Sequence, residues 1–182
     1  MPCFILNIME KMSMGKKIIV AGAGHGGITA AALLSEAGFD VTVYERGEKG
    51  KLGYDWTDIF DPKALDVVGC PRPSEDKFEW KIDMTFFGPH TDDKHKIRQR
   101  VPNDPEQMEI KMERKDIYDL IIAFAEEKGV KFEYGVNILG PHMDGERVVG
   151  IDTDKGVFLG DMVIDAAGAE SPLRAQLPDE LG

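Results

Sequence analysis

Hydrophobic positions change their spacing along the chain, and each spacing predicts an element. Ile18-Ile19-Val20-Ala21 is a short continuous apolar run, the pattern of a parallel strand covered on both faces. From His25 to Ala37 the chain is rich in Ala and Leu, which predicts a helix, and Gly38 stops it. Asp40 to Glu45 is β-branched and predicts a second parallel strand. Further on, Ile117, Leu120, Ile121, Phe124 and Ala125 recur at three and four residues, the stripe of an amphipathic helix that Lys128 and Gly129 end. Val130 to Tyr134 predicts another parallel strand. Val136–Met143, Arg147–Asp152 and Val157–Leu159 predict a three-stranded antiparallel meander. Its turns are Asp144-Gly145-Glu146 and Asp154-Lys155-Gly156, where Asp and Gly tolerate positive φ. Met162-Val163-Ile164-Asp165 is one more short strand, running into Ala166-Ala167-Gly168.

The middle of the chain breaks this order. Gly and Pro are scattered there, and Pro62 to Val68 predicts a short helix with Gly69 after its end. Phe78–Phe87, Lys96–Val101 and Gln107–Met112 look extended. So long a stretch exceeds a plain connection in a βαβ unit, so residues 55–112 are expected to be an inserted, mostly-β segment on the substrate side. The α/β halves on either side, 16–54 and 113–182, are expected to form one domain: a Rossmann-like parallel sheet with helices and the β-meander. The apolar start, residues 1–15, has no basic opening or cleavage site and reads as an optional leader.

Composition narrows the class without naming it. An apolar share of 42% with 30% charged residues is that of a folded globular protein. A net charge of −11 argues against a nucleic-acid partner, because phosphate binding needs clustered Lys and Arg. Cys3 and Cys70 make neither a metal spacing nor a disulfide framework, which suits a reducing cytoplasm, and no apolar run reaches the length of a transmembrane segment. Cys70 is expected to be a buried, inert thiol.

The candidate chemistry lies in Gly22-Ala23-Gly24-His25-Gly26-Gly27. Alone, a G-x-G-x-x-G run is weak; here an apolar strand precedes it, a helix follows, and Glu45 closes the next strand 23 positions after Gly22. In a dinucleotide loop Gly22 permits the tight turn, Gly24 admits the pyrophosphate close to the backbone, and Gly27 lets the helix pack on the sheet. The helix N-terminus offers N–H groups and a partial positive charge to the phosphates. Glu45, with Arg46 beside it, is placed to accept hydrogen bonds from the adenosine ribose and to repel a 2′-phosphate. His25 is either a tolerated variable position or a side chain that approaches the phosphates. No catalytic triad or metal cluster is visible.

Val163-Ile-Asp-Ala-Ala-Gly-Ala-Glu-Ser-Pro-Leu-Arg174 resembles the second fingerprint of FAD-dependent monooxygenases and geranylgeranyl reductases, with Asp165, Gly168, Ser171 and Arg174 in its places. Glu113-Arg114-Lys115-Asp116-Ile117 resembles the segment before that family's second long helix, and Gly135-Val-Asn-Ile138 its adenine-side strand. The resemblance covers roughly 16–54 and 113–175. It implies an FAD site in which Asp165 comes near the pyrophosphate and ribose, Arg114 reaches the FAD and Ile138 lies over the adenine. The candidate cofactor-binding set is thus Gly22, Gly24, His25, Gly26, Gly27, Glu45, Arg46, Arg114, Ile138, Asp165 and Gly168, with no catalytic residue or metal ligand assigned.

Two departures qualify the resemblance. The family continues past its second fingerprint into a Gly-Asp segment, so this sequence matches an N-terminal part whose C-terminal half is missing. Its Cys-Gly segment is also replaced, by Lys49 to Asp58, which puts a cysteine-based reductase mechanism in doubt. The expected function is a flavoprotein oxidoreductase, or its FAD-binding part, acting on an apolar small molecule with NADH or NADPH as electron donor. Trp56, Phe60, Trp80, Phe86 and Phe87 either line a pocket for that substrate or form the core of the insertion. The rivals are an NAD-dependent dehydrogenase and a non-catalytic nucleotide-binding fragment.

Overall fold

A computed structural model describes residues 15–87, 96–100 and 104–177. Residues 1–14, nearly all of the expected leader, lie outside the described residues, as do Val101 and the last five positions. The contacts divide the chain into two compact units. One holds the residues up to Leu52 and those from Ile121, and the other runs from Gly53 to Leu120.

The first unit is built on a four-stranded parallel sheet. Strand β1 (Lys17–Ala21) leads through the glycine loop into helix α1 (His25–Glu36) and on to β2 (Asp40–Glu45). Strands β8 (Lys131–Tyr134) and β12 (Met162–Asp165) complete the order β12-β1-β2-β8. Ile18 to Ala21 are all buried, as their unbroken apolar run requires. Helix α1 packs on β1 and β2 through Ile28, Ala31 and Ala32. Its end is tied to the end of α3 (Arg114–Glu127), because the Ser35 hydroxyl donates to the Lys128 carbonyl at 2.7 Å.

The other face of the sheet carries the meander, β9 (Ile138–Asp144), β10 (Arg147–Thr153) and β11 (Gly156–Leu159). Ile19, Ala21 and Tyr44 of the sheet share a core there with Ile151, Val136 and Leu173, and Phe158 packs against Tyr44 with ring centroids 4.6 Å apart and the rings tilted by 41°. The first meander strand starts at Ile138, two residues later than its apolar run. The N–H groups of Gly135 and Val136 instead bond the carbonyls of Gly47 and Glu45. The turns hold Gly145 at φ +60° and Gly156 at +113°, values that only glycine adopts freely.

In the second unit, β3 (Thr57–Phe60), β7 (Ile110–Glu113) and β4 (Phe78–Trp80) form an antiparallel sheet in the order β3-β7-β4, and β5 (Asp83–Phe87) pairs with β6 (Lys96–Arg100). Helix α2 (Lys63–Val67) occupies the Pro62–Val68 segment. Three details differ from the sequence pattern. Phe78–Phe87 is two strands in two sheets. The Gln107–Met112 stretch opens as a 3-10 turn over Pro105–Gln107, in which Asp104 accepts from Glu106 N, and becomes a strand only at Ile110. Strand β3 has no sequence signal, its four residues being half polar. The core here is aliphatic and sulfur-bearing, with Leu65, Met108, Ile110 and Met112 buried, while Trp56 and Phe86 are 58% and 50% exposed. Trp56 and Phe86 are therefore not part of that core, whereas Phe60 and Trp80 are half-buried. Cys70 is buried and its thiol is pushed up by that burial, the setting of an inert cysteine. Among the described residues no helix is long and apolar enough to cross a membrane.

Candidate dinucleotide site

The glycine loop is wedged between the carboxyl ends of β2 and β12. Gly22 stands at φ +99°, and its N–H donates to the Tyr44 carbonyl at 2.8 Å. A β-carbon on Gly22 would lie 2.6 Å from the Ala166 carbonyl oxygen, and one on Gly27 would lie 2.3 Å from the Gly22 carbonyl oxygen. Both positions are therefore closed to any side chain by the protein's own backbone. Gly24 and Gly26 are different. A β-carbon on Gly26 would meet nothing within 4 Å, and one on Gly24 only the Ala166 oxygen at 3.9 Å. Gly24 has φ −74° and ψ 168°, which any residue adopts, and as the N-cap of α1 it offers no side-chain cap.

Gly24, Gly26 and Gly27 form one wall of a cavity of about 420 Å³, and Ile164, Asp165, Ala166, Gly168 and Arg174 form the rest. The N–H groups of the first helical turn, up to Gly27, have no intrahelical partner, since the first helical bond runs from Ile28 N to Gly24 O. The cavity thus combines a helix N-terminus, bare backbone and one guanidinium, an arrangement suited to a phosphate group. Arg174 belongs to the cavity although the sequence placed it only as part of the downstream motif; its Nη2 donates to the Ala169 carbonyl at 2.6 Å.

Asp165 is engaged in building its own turn. Its Oδ1 accepts from Ala167 N at 3.0 Å and its Oδ2 from the Ser171 hydroxyl at 2.5 Å. Ser171, 3% exposed, in turn accepts from the N–H of Leu173 at 3.1 Å. Gly168, at φ +88°, permits the bend between them.

Glu45 occupies the other side of the loop. One carboxylate oxygen accepts from Ala23 N at 2.8 Å and the other from Gly47 N at 2.7 Å. Each oxygen keeps a lone pair for a further donor. His25 and Arg46 are exposed, and Ile138 is half-buried against the Tyr44–Ile151 cluster. Near Glu45 the Tyr134 hydroxyl is buried with no hydrogen-bond partner among the described residues; burial, then the Glu126 and Glu45 carboxylates, push its pKa up.

The structure therefore brings the glycine loop together with Glu45 on one side and with Asp165 and Gly168 on the other. Arg114 belongs to the second unit, at the start of α3. Its Nε and Nη2 donate to the two oxygens of Asp58 at 2.8 and 2.5 Å, and its guanidinium lies 4.3 Å from the centre of the Tyr54 ring. These partners, Asp58 foremost, raise its pKa further above an already basic value.

The glycine loop falls within a match to the NAD(P)-binding Rossmann-like domain over residues 20–69. A geranylgeranyl bacteriochlorophyll reductase-like protein of Thermoplasma acidophilum has the same chain path, with TM-score 0.72 and 20% identity over 88% of this chain and 41% of that one. A probable FAD-dependent monooxygenase of Pseudomonas aeruginosa shares it at TM-score 0.67 and 16% identity, over 89% of this chain and 45% of the other. In sequence, the digeranylgeranylglycerophospholipid reductase of Haloferax volcanii is 28% identical over 165 residues, 88% of this chain and 37% of its own length. The chain spans less than half the length of each of these relatives.

Proposed function

We propose that this chain is the FAD-binding part of a flavin-dependent oxidoreductase, with the pyrophosphate seated on Gly24 and Gly26 at the start of α1. One observation carries this reading: Gly24 and Gly26, the loop glycines whose β-carbons would meet no close neighbour in the protein itself, both line the cavity at the start of α1, beside Gly27. FAD fits the donor set, because the helix N-terminus and Arg174 answer its phosphate charge and Glu45 keeps acceptor capacity for a ribose hydroxyl. Bound FAD supplies the electron transfer, while the chain's residues bind and orient it. The names of the relatives favour a reductase or monooxygenase chemistry; an apolar small-molecule substrate, NADH or NADPH as electron donor and a cytoplasmic location are part of the same proposal. Arg114, Ile138, His25 and Arg46 are proposed as further contacts.

The test is Gly24→Val, whose β-carbon the protein alone leaves room for, the nearest atom being the Ala166 carbonyl oxygen at 3.9 Å. FAD added to the wild type should lose fluorescence on binding. The variant should melt at the same temperature and bind FAD at least tenfold more weakly. Equal affinity in the two proteins overturns the placement, and a wild type that leaves FAD fluorescence unchanged overturns the FAD reading itself. The NAD(P)-binding description of residues 20–69 favours a second reading, an NAD-dependent dehydrogenase, which predicts that NADH binds while FAD does not. Reduction of bound flavin by NADH or NADPH separates an enzyme from a non-catalytic nucleotide carrier.

A further inference from the structure

Arg174 lines the cavity from an exposed 3-10 turn, Arg174–Gln176, and a guanidinium can meet a phosphate in fixed geometry only if that turn is itself held. On the sheet side two residues before it hold it. Leu173, 3% exposed, sits in the core against which Ile138 packs, and the Ser171 hydroxyl accepts from the N–H groups of Leu173 and Arg174. On the meander side the turn is held by the side chain of Gln176.

That side chain reaches β9 at an irregularity in the meander. Gly140 is paired with Asp152 and Ile138 with Thr153, so Leu139 is an extra residue, a bulge. The Leu139 carbonyl accepts from Gln176 Nε2 at 2.6 Å, and the Pro172 carbonyl accepts from the same nitrogen at 3.1 Å. Gly140, buried in the strand, makes the room for this contact. A β-carbon there would lie 2.7, 2.8 and 2.9 Å from Oε1, Nε2 and Cδ of Gln176. A glycine inside a strand often marks such a close approach.

We propose that Gln176 is a positioning residue for the nucleotide: it clamps the Arg174 turn to the Leu139 bulge and so sets the guanidinium at the phosphate cavity. This role rests on the FAD reading above. It also joins the two ends of that site, because Ile138, the proposed adenine-side contact, is the residue before the bulge. The obstruction at Gly140 consists only of the far end of a flexible side chain, so an added methyl group displaces the amide and leaves the backbone where it is.

FAD binding to the full chain, followed by fluorescence quenching, tests the clamp. Gln176→Ala should weaken FAD about fivefold, the size of one neutral hydrogen bond. Its melting temperature should hardly move, as is usual for exposed side chains. Gly140→Ala should weaken FAD to the same degree and covers the case in which Gln176→Ala fails to fold. The double variant should bind no more weakly than either single one. Arg174→Met should also weaken FAD, and Gln176→Ala added to it should change nothing further, a result that general loosening of the fold would not give. If Arg174→Met weakens FAD while Gln176→Ala and Gly140→Ala both bind it as the wild type does, the clamp is overturned and the FAD reading stands. A further loss on adding Gln176→Ala to Arg174→Met, or an Arg174→Met protein with wild-type affinity, also overturns the clamp. A wild type that leaves FAD fluorescence unchanged overturns the FAD reading and the clamp with it.

Discussion

A carboxylate oxygen of Glu45 accepts a hydrogen bond from the backbone N–H of Ala23 at 2.8 Å, so the acid that ends β2 holds the glycine loop from within the protein. Its second oxygen holds Gly47, and the loop and the strand end become one rigid edge. Hydrogen bonds to a charged acceptor contribute about 1.5–3 kcal/mol, more than neutral ones. Glu45→Gln keeps the size but removes the charge and one acceptor. It should therefore lower the melting temperature by several degrees with no nucleotide present. A purely ligand-binding Glu45 would leave the unliganded melt unchanged, so a differential scanning fluorimetry curve decides between the two.

The four loop glycines divide into two pairs with opposite predictions. Gly22→Ala and Gly27→Ala each force a β-carbon to within 2.6 Å or less of a backbone oxygen, and Gly22 adds a left-handed φ. Overpacking of this kind costs about 1–3 kcal/mol, often more against backbone. Both variants should show an earlier urea midpoint or appear in inclusion bodies. Gly26→Ala should be as stable as wild type or slightly more so, since alanine favours the first helical turn. A stable Gly27→Ala protein would contradict the close packing of α1 on the loop.

The parallel sheet, the meander and the glycine loop were legible in the chain because each is written in local pattern: unbroken apolar runs, alternation bounded by Asp-Gly turns, and glycine spacing. Strand β3 was not. Thr57-Asp58-Ile59-Phe60 carries little apolar signal, and it forms because β7 supplies its hydrogen bonds and Arg114 engages Asp58 from 56 positions away. The same distance in sequence hides the partners of Arg114, which read as a lone basic residue before a helix.

Asp165 and Ser171 are joined at 2.5 Å, and through Ser171 the aspartate orders the turn that leads to Arg174. Asp165→Ala removes two hydrogen bonds to a charged acceptor, from Ala167 N and from the serine hydroxyl, at about 1.5–3 kcal/mol each. It should weaken FAD several-fold through loss of the Gly168–Arg174 wall of the cavity. Ser171→Ala should reproduce part of that loss although the proposed site does not include it. If Asp165→Ala weakens FAD and Ser171→Ala leaves it untouched, the aspartate acts on the nucleotide directly and not through the turn.

Arg114 is held by shape more than by charge. Two parallel bonds to Asp58, the Tyr54 ring at 4.3 Å and a donor bond from its own N–H to the Trp56 carbonyl surround it. A lysine keeps the charge but has neither the fork nor the flat face. Arg114→Lys should therefore loosen residues 54–58, seen as faster amide exchange there and a changed Trp fluorescence maximum. Exchange identical to wild type would show that charge alone suffices.

Buried Tyr44 and half-buried Tyr134 tie the stability of the fold to alkaline pH. Tyr44 and Tyr134 both have pKa values above the ordinary 10.0, driven first by burial and then by nearby carboxylates: Glu133 and Asp40 for Tyr44, Glu126 and Glu45 for Tyr134. The folded protein thus holds these two protons more tightly than the unfolded chain does. Their contribution to stability is fully present below pH 10.0 and is lost as the pH rises above it, through the folded values. Urea midpoints measured at intervals from pH 9 to pH 11 should fall faster than those of a Tyr44→Phe, Tyr134→Phe double variant, which has no phenol to ionise at either place. Tyr134→Phe alone should be no less stable than wild type at neutral pH, since its hydroxyl makes no hydrogen bond among the described residues. Parallel slopes for the two proteins would mean that these phenols ionise without opening the sheet.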